Sequence, residues 1–401
     1  QKTAVRGQRS VKTIHFLLPP YYFFLIPMRI LYDDQIFIYQ RWGGISRYFA
    51  ELIAHLPADC TPVVGVSVSP NVHAAALPGV TPYRGLWAEE GVLPAALARG
   101  RLVRKLREAH LRRLNRPRLH ALLAREPPDV LHITLDYDED WLPLIGDTPF
   151  VYTVHDLIPE RYWQSPAYFE RRKRLAARAA RLIAVSENTR RDCVRFLGVP
   201  ESKVEVIHHA PTLRAPPADS AGGDGGAFLL YVGARNRQKR FAWLAGALAP
   251  LLRARPALRL VCTGAPFTRR EAALLRRLGI AHRVSAGFYG DGELARLYGQ
   301  ARAFIYPSEY EGFGLPILEA FAAGCPAVLA EASCFPEVGG DAALTFAPDD
   351  AEGLRARLAS VLDDPARRAA LIARGRVRAA RFTWKETAAR TAAVYRRVNS
   401  E

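Results

Sequence analysis

Short apolar runs alternate with longer amphipathic segments along most of the chain. Continuous apolar runs are typical of strands buried on both faces, whereas apolar residues three and four positions apart are typical of helices that cover a sheet. The pattern therefore predicts parallel sheets with helices packed on them. In the first half the predicted strands are 28–34, 63–68, 129–135, 150–157 and 182–185, and in the second half they are 228–233, 258–264, 283–288 and 303–308.

The first strand is followed by Q-I-F-I-Y-Q-R-W-G-G, which we interpret as a loop, and then by an amphipathic helix that starts near Ile45. A proline- and glycine-rich segment, 211–226, separates the two sets of strands and predicts a linker. The fold class predicted is α/β, with two Rossmann-like domains facing each other across a cleft. The predicted domains are 28–210 and 227–382.

The N-terminal segment has an unusual composition, because the chain begins with Gln1 and its single methionine is Met28. Residues 14–27 are apolar, but they are too few and too rich in proline to cross a bilayer as a helix. We expect residues 1–27 to be a leader, misannotated or added, that does not pack against the domains.

The composition suits two globular domains, with 401 residues of which 49% are hydrophobic. The net charge of +17 favours anionic partners, which include nucleotides, phosphorylated lipid carriers, acidic bilayer surfaces and nucleic acid. The five cysteines form no C-x-x-C pair, so neither a disulfide framework nor a zinc cluster is expected, and a reducing compartment is indicated.

Residues 92–126 form a basic helical region, with ten Lys or Arg against Glu108 and Glu126. Two interpretations stay open: a solvated arginine-rich face, or peripheral contact with an anionic membrane. Nucleic acid is not expected as a partner, because the basic residues are not interleaved with aromatic residues and no known nucleic-acid module is present.

Two carboxylates flank a glycine-bearing turn in the stretch S-E-Y-E-G-F-G-L-P-I-L-E-A, where Glu311 and Glu319 are separated by seven residues. A helix is predicted to start near Leu315, because proline is favoured in a first helical turn. Gly312 and Gly314 leave the backbone bare, so that N–H groups at the helix start can bind an anion. The two glutamates could then hold hydroxyls on opposite sides of a phosphate, as in a nucleoside-diphosphate sugar; the alternative is that they are solvated surface charges.

Other candidate groups follow predicted strands. Arg235 and Lys239 could hold a diphosphate and stabilise the charge that grows on it. His155 ends the strand 150–157 and could be structural or functional. The pair Gly43-Gly44 lacks a full G-x-G-x-x-G fingerprint, and a turn requiring positive φ would explain it equally. The loop D-Y-D-E-D has a D-x-D spacing that can bind a metal, but we expect a solvated acidic loop there and no metal site.

The stretch E-G-F-G-L-P-I-L-E-A, followed by A-A-G-C-P and S-C-F-P-E-V-G-G, closely resembles the C-terminal motif of retaining nucleotide-sugar glycosyltransferases of bacterial family 4, which have GT-B architecture. The resemblance implies that Glu311 lies beside the transferred sugar and that Glu319 binds the ribose. W-G-G-I-S-R-Y-F resembles the glycine loop that closes on the donor diphosphate, and V-H-D-x-x-P resembles the segment whose histidine, here His155, faces the sugar. Residues 383–401 resemble the final helix that crosses back to the first domain.

The resemblance also assigns expected roles to the remaining residues. Arg235 and Lys239 stand where family members carry cations for the diphosphate, although Lys239-Arg240 replaces the commoner Lys-Asn pair. The expected catalytic residues are Glu311, His155, Arg235 and Lys239. The expected donor-binding residues are Gly43, Gly44, Gly312, Phe313, Gly314, Leu315 and Glu319.

The function implied is transfer of a sugar, with retention of its anomeric configuration, from a nucleoside diphosphate to a polysaccharide or lipid-linked glycan. Similarity to mannosyltransferases of bacterial surface polysaccharides favours GDP-mannose as donor. A UDP-sugar donor, and a non-catalytic basic binding protein of the same fold, are the alternatives. No cofactor and no metal are expected, because the sugar nucleotide is a substrate. The expected location is cytoplasmic. If residues 92–126 contact a membrane and are not simply a solvated face, that membrane is expected to be the inner face of the cytoplasmic membrane.

Overall fold

The computed structural model describes residues 27–84, 101–163, 165–213 and 227–401, which form two six-stranded sheets and one two-stranded ladder. All strand pairs are parallel. The predicted leader 1–27 lies outside the described residues except for Pro27, and so does most of the predicted linker 211–226.

The first sheet has the strand order β2-β1-β5-β6-β7-β8, and β3 pairs with β4 beside it. Ile30 stands opposite Val130, which fixes the register of the two central strands. The strands are β1 (Met28–Tyr32), β2 (Cys60–Val64), β3 (Val68–Ser69), β4 (Thr81–Pro82), β5 (Val130–Ile133), β6 (Phe150–Val154), β7 (Arg181–Ala184) and β8 (Val204–Val206).

The second sheet has the strand order β11-β10-β9-β12-β13-β14. Strands β9, β12 and β13 are buried along their whole length, as expected for parallel strands covered on both faces. The prediction of an α/β fold with two doubly wound domains is confirmed. The strands are β9 (Phe228–Tyr231), β10 (Arg259–Thr263), β11 (Val284–Gly287), β12 (Ala303–Tyr306), β13 (Ala327–Ala330) and β14 (Leu344–Phe346).

Helices connect the strands and cover the faces of the two sheets. Several begin with side-chain caps that the sequence supplies; Ser186, for example, accepts a hydrogen bond from the backbone N–H of Thr189. In the first domain they are α1 (Gln35–Tyr39), α2 (Gly44–Ala54), α3 (Arg101–Arg125), α4 (Ile158–Tyr162), α5 (Pro166–Arg178) and α6 (Glu187–Asp192). The later helices are α7 (Phe241–Ala254), α8 (Arg269–Arg277), α9 (Asp291–Gln300), α10 (Leu315–Ala322), α11 (Phe335–Gly339), α12 (Ala351–Leu362), α13 (Pro365–Ala379) and α14 (Trp384–Ser400).

Two local predictions in the first domain are wrong. The segment interpreted as a loop after β1 contains helix α1, because Ile36, Phe37 and Ile38 are buried in the core. The predicted strand 63–68 is divided between β2 and β3. It breaks at Gly65, where a Cβ would lie 3.1 Å from the carbonyl oxygen of Tyr32 and 2.9 Å from a methyl group of Leu119.

The last helix, α14, follows the second domain in the chain but packs on the first sheet. Trp384, Ala388 and Tyr395 belong to the same hydrophobic cluster as Ile30 and other residues of the first domain. The hydroxyl of Tyr395 also lies 2.5 Å from Nδ1 of the buried His132. The final helix therefore ties the two halves of the chain together.

Each sheet has a point at which the strand order reverses. In the first sheet it lies between β1 and β5, and in the second between β9 and β12. Ligands of doubly wound sheets bind in the crevice outside the carboxyl ends of the strands at such points. The fold therefore directs attention to the loops after these four strands.

In the part of the chain that the structure describes, no helix is both long enough and apolar enough to cross a membrane.

Candidate active site

The loops after β9 and β12 bring a cation and a carboxylate together. Nζ of Lys239 lies 2.6 Å from Oε1 of Glu311 and donates to the hydroxyl of Tyr306 at 3.0 Å. Both charged side chains are largely buried. Burial raises the pKa of Tyr306 well above its usual range, so that its hydroxyl stays protonated. The sequence prediction had singled out Lys239 and Glu311, and the structure brings them into direct contact.

The backbone after Glu311 turns into helix α10. Gly314 adopts φ 86° as the residue before the helix, a left-handed conformation that favours glycine, and Pro316 occupies the first turn. The helix ends before Gly324, which adopts φ 75°, the left-handed conformation that is common just after a helix. Pro316 has no N–H, and the N–H of Ile317 donates to the carbonyl oxygen of Gly314 at 2.9 Å. The N–H groups of Gly314 and Leu315 are therefore the ones placed to meet an anion at the positive end of the helix.

Glu319 lies on α10, and its side chain is only 9% exposed. The hydroxyl of Tyr298 donates to its Oε2 at 3.3 Å, and a guanidinium nitrogen of Arg47 lies 3.9 Å from its Oε1. Burial raises the pKa of Glu319 to about 7, although Arg47 and the Tyr298 hydroxyl act in the opposite direction. Arg47 comes from the first domain and also pairs with Asp291 at 2.6 Å.

The other predicted cation, Arg235, is already bound within its own domain. Its Nε donates to Glu271 at 2.8 Å, and one terminal nitrogen donates to the carbonyl oxygens of both Ala265 and Pro266 at 2.5 and 3.1 Å. The structure therefore does not join Arg235 to the Lys239–Glu311 pair. Arg240 turns to Glu309 at 3.2 Å and to Asp349, so that Lys239 is the member of the Lys-Arg pair that contacts Glu311.

The glycine loop of the first domain faces the start of α10. A Cβ on Gly44 would lie 3.8 Å from Cδ1 of Leu315, in ordinary contact across the cleft. Neither Gly43 nor Gly44 has φ in the left-handed region, so the positive-φ explanation for this pair is wrong. Position 43 instead requires glycine for steric reasons, because a Cβ there would collide with the side chain of Gln40.

His155 of the first domain meets Gly312 of the second. A Cβ on Gly312 would collide with the carbonyl oxygen of His155, so the two backbones are in close contact. The imidazole packs edge-on against Tyr48 at 5.0 Å, and neither ring nitrogen has a hydrogen-bond partner among the residues that the structure describes. Burial lowers the pKa of His155 to about 3, so the ring is neutral at physiological pH.

Further contacts hold the loop 311–313 against the first domain. The Ser186 hydroxyl donates to the carbonyl oxygen of Gly312 at 2.6 Å, and the Thr189 hydroxyl does so at 3.1 Å. The buried ring of Phe313 stacks on His208 with centroids 5.7 Å apart. The side chain of Phe313 is thus part of the domain contact, while its backbone belongs to the glycine turn.

We expected the acidic loop D-Y-D-E-D to be solvated, but its carboxylates form ion pairs within the protein. Asp136 is only 6% exposed, and Arg172 pairs with it at 2.7 Å. Asp138 and Asp140 pair with Arg112 of helix α3 at 3.4 and 2.9 Å. Among the described residues, no group of three or more His, Cys, Asp or Glu side chains has an arrangement that could hold a metal ion.

Sequence reasoning missed several residues of this site. Arg47 stands in the quoted motif W-G-G-I-S-R-Y-F, but only the structure shows that it reaches Glu319 and Asp291 in the other domain. Tyr306 and Tyr298 appear in the sequence as ordinary core aromatics, and no local signal marks their hydroxyls as partners of Lys239 and Glu319.

The arrangement as a whole is suited to an anion with hydroxyl groups on either side. Lys239 and the start of α10 supply positive charge. Glu311 lies at one side of this region beside His155 and Gly312, and Glu319 lies a helical turn or more away. Both carboxylates are poorly hydrated, which strengthens any hydrogen bond that they accept.

Two family models match the chain. Residues 42–210 match Glycosyltransferase Family 4, and residues 218–378 match Glycosyl transferases group 1. The two matches together span most of the residues that the structure describes.

Individual relatives agree with the family models. A 110-residue segment is 42% identical to O-antigen chain mannosyltransferase B of Escherichia coli, covering 27% of this chain and 29% of that protein. Glycogen synthase of Mycobacterium tuberculosis is 33% identical over 294 residues, which cover 67% of this chain and 68% of the relative. The structure of HepE of Anabaena in complex with UDP and glucose superposes with a TM-score of 0.69 and 18% identity over 92% of this chain and 99% of that one, a likeness of fold.

Proposed function

This chain belongs to the group 1, family 4 glycosyltransferases of GT-B architecture, and we propose that it transfers a sugar from a nucleoside diphosphate to a glycan acceptor with retention of anomeric configuration. The observation that carries the proposal is the Lys239–Glu311 pair, 2.6 Å apart, beside the open N-terminus of helix α10. That pair offers a cation for the diphosphate and a carboxylate for the hydroxyls of the sugar.

In the proposed complex the diphosphate binds at the start of α10, against the backbone of 312–315. Glu319 accepts hydrogen bonds from the ribose hydroxyls, and Glu311 accepts them from the sugar. The neutral ring of His155 faces the sugar from the first domain. Arg235 would have to exchange its contacts with Glu271 and nearby carbonyl oxygens to reach the diphosphate, so Lys239 is the principal cation.

The chemical step follows from these positions. The bond between the anomeric carbon and the phosphate oxygen breaks, and the acceptor oxygen bonds to the same face of that carbon. The acceptor hydroxyl proton passes to the departing phosphate oxygen, so no protein side chain acts as a nucleophile. Lys239 and the N–H groups of α10 stabilise the developing phosphate charge, which supports a mechanism without a metal ion. Closure of the cleft excludes water and limits hydrolysis of the donor.

For the donor we propose GDP-mannose. The support is the name of the Escherichia coli relative, a mannosyltransferase that is 42% identical over the matched segment. HepE, whose structure holds UDP and glucose, supports the alternative of a UDP-sugar. The acceptor proposed is a polysaccharide or lipid-linked glycan of the bacterial surface, in keeping with the O-antigen role in that relative's name.

We also propose a cytoplasmic enzyme that contacts an anionic membrane through helix α3. Residues 92–100 of the predicted basic region lie outside the described residues, but α3 itself is described from Arg101. Its outward face carries three exposed leucines together with exposed basic side chains. The leucines are Leu102, Leu106 and Leu114, and the basic residues include Lys105 and Arg113.

Calorimetric titration with GDP, UDP, GDP-mannose and UDP-glucose tests the donor, and two alanine variants test the division of labour. Glu311→Ala should lower the transfer rate by about 100-fold or more while nucleotide affinity stays nearly unchanged. Glu319→Ala should weaken nucleotide binding by about tenfold or more, because charged hydrogen bonds to the ribose are lost. The exposed Glu352→Ala is the matched control and should change neither.

Two outcomes would count against the proposal. Identical effects of the two variants on binding and rate would remove the separate roles of Glu311 and Glu319. No binding of any of the four nucleotides by the unaltered protein would favour the non-catalytic binding protein instead.

A further inference from the structure

A cavity of about 420 Å³ opens beside His155, on the first-domain side of the cleft. Its size falls within the range of about 300–1,000 Å³ that is usual for small-molecule sites. The walls come from the loop after β5, from the segment 155–163 with the start of α5, and from 236–238 of the second domain. Lys239, Glu311 and Glu319 do not line it, whereas His155 does, so the cavity adjoins the proposed donor subsite without containing its charged groups.

Aromatic rings form one wall of this cavity. Tyr137, Tyr162, Trp163 and Tyr168 all line it. Trp163 is 50% exposed and Tyr137 is 42% exposed, although large aromatic side chains are usually more deeply buried. Flat rings that stay exposed beside polar groups match the two-sided chemistry of a sugar, which presents C–H groups on its faces and hydroxyls on its edges.

Arg172, the buried cation in the cavity wall, is paired with groups of the protein itself. Arg172 is 3% exposed, and its nitrogens contact Asp136 at 2.7 Å, Glu160 at 2.6 Å and the carbonyl oxygen of Asp156 at 2.9 Å. Its charge is therefore neutralised and its donors are engaged. Arg172 fixes the shape of the wall but offers nothing to a phosphate.

Asp156 lies where the cavity meets the proposed donor subsite. A Cβ on Gly312 would lie 3.2 Å from Cβ of Asp156, so the carboxylate stands next to the loop that carries Glu311. Its Oδ1 accepts from the backbone N–H of Ile158 at 2.9 Å, and no described residue donates to its Oδ2. Burial raises the pKa of Asp156, while Arg172 lowers it and Glu311 raises it further.

We propose that this cavity binds the terminal sugar of the acceptor as an uncharged saccharide, with Trp163 and Tyr137 packing on its ring and Asp156 accepting a hydrogen bond from a hydroxyl next to the nucleophilic one. The inference rests on the proposed transfer reaction and adds the class of acceptor to it. By holding the neighbouring hydroxyl, Asp156 orients the acceptor sugar so that its nucleophilic hydroxyl faces the donor sugar held by Glu311 and keeps its own proton for the departing phosphate oxygen. The buried carboxylate of Asp136 and the half-buried carboxylate of Asp156, with Arg172 engaged, disfavour a phosphate inside the cavity. The exposed Arg237 on the second-domain rim is the group that a phosphorylated acceptor would need.

The experiment compares transfer with donor hydrolysis, using GDP-mannose as donor and mannobiose or mannose 6-phosphate as acceptor. Trp163→Ala should raise the KM for mannobiose at least tenfold and leave the rate of donor hydrolysis unchanged, whereas Trp163→Phe should restore most of the affinity. Tyr137→Ala removes another ring from the same wall and should also raise the KM for mannobiose. Leu144→Ala, an exposed apolar residue outside the cavity, is the control and should leave both rates unchanged.

Asp156→Asn should lower the ratio of transfer to hydrolysis at least tenfold, because an amide is a weaker acceptor for the hydroxyl. A purely structural role would reduce both rates together.

An unchanged KM for mannobiose in both aromatic variants, with normal hydrolysis, would overturn this inference and leave the proposed function standing. Preference for mannose 6-phosphate, abolished by Arg237→Ala, would overturn the uncharged acceptor. Absence of both hydrolysis and nucleotide binding in the unaltered protein would instead overturn the proposed function.

Discussion

At the scale of single residues, the two glutamates of the E-x7-E motif differ because their neighbours differ. Glu311 has a lysine at 2.6 Å, whereas the cation nearest to Glu319 is Arg47 at 3.9 Å, which is shared with Asp291. A buried carboxyl without a close ion pair holds its proton more tightly. The pKa of Glu319 is accordingly raised to about 7, within the physiological range.

This pKa leads to a prediction about pH. The carboxylate form of Glu319 accepts hydrogen bonds from the ribose, so nucleotide affinity should fall by about tenfold as pH drops from 8 to 6. In Glu319→Gln the affinity should be lower at pH 8 and should vary less with pH, which separates this effect from titration of the phosphates. Calorimetric titration of GDP and UDP across this range measures both. Parallel pH profiles in the two proteins would contradict the prediction.

The same shift affects the stability of the free protein, with the opposite dependence on pH. The folded protein binds the Glu319 proton more tightly than the unfolded chain does, because folding raises the pKa of this carboxyl from its ordinary value of 4.5 to about 7. The contribution of this residue to stability is therefore largest below pH 4.5 and falls as pH rises towards 7.

At the scale of elements, helix α3 packs one face against the first domain and exposes the other face to solvent. Its inner face is anchored by the buried residues Leu111, Asn115 and Leu119. The side-chain oxygen of Asn115 accepts hydrogen bonds from the backbone N–H groups of Ser67 and Val68, at the start of β3, at 2.7 and 2.9 Å. The outer face carries the exposed leucines together with exposed basic residues such as Lys105 and Arg113.

Charge reversal on this outer face tests the proposed membrane contact. The double variant Lys105→Glu/Arg113→Glu should lose most binding to vesicles of phosphatidylglycerol and phosphatidylcholine, since each basic residue near an anionic surface contributes about 1 kcal/mol. Co-sedimentation measures the bound fraction, which should also fall with added salt. The exposed pair Arg276→Glu/Arg277→Glu in the second domain is the control. Equal binding to vesicles of phosphatidylcholine alone, or an equal loss in the control, would argue for a solvated face.

At the scale of the whole molecule, the site exists because two domains meet at a few close contacts. Gly312 packs against the backbone of His155, and its carbonyl oxygen accepts from Ser186 and Thr189. Arg47 reaches from the first domain to Asp291 in the second. These contacts set the distance between the proposed donor and acceptor subsites.

Gly312→Ala should therefore hold the domains apart without unfolding either of them. A methyl group at this position would collide with the carbonyl oxygen of His155, and a displacement of about 1 Å can lower a transfer rate by about 100-fold. We expect unchanged circular dichroism, a larger radius of gyration by small-angle scattering and a transfer rate reduced to that extent. Gly246→Ala, where a Cβ meets nothing within 4 Å, is the control. Full activity of Gly312→Ala would show that the domains do not close at this contact.

Much of the fold follows from local sequence. The strands β5, β6, β9 and β12 are short apolar runs, which are typical of buried strands. The helix start at Leu315 follows from Gly314 and Pro316. The prediction failed at 35–39 and at Gly65, where burial and a close backbone contact, rather than local pattern, decide the structure.

The sequence by itself determined that the chain forms two doubly wound α/β halves and that Glu311, Glu319, Lys239 and a glycine turn occur together, because these are properties of short segments and their spacing. The tertiary structure decided which charges meet. It paired Lys239 with Glu311, kept Arg235 on Glu271, and brought Arg47 and His155 to the second domain. Such pairings depend on how two sheets lie against each other, and distances between residues far apart in the chain are set by packing.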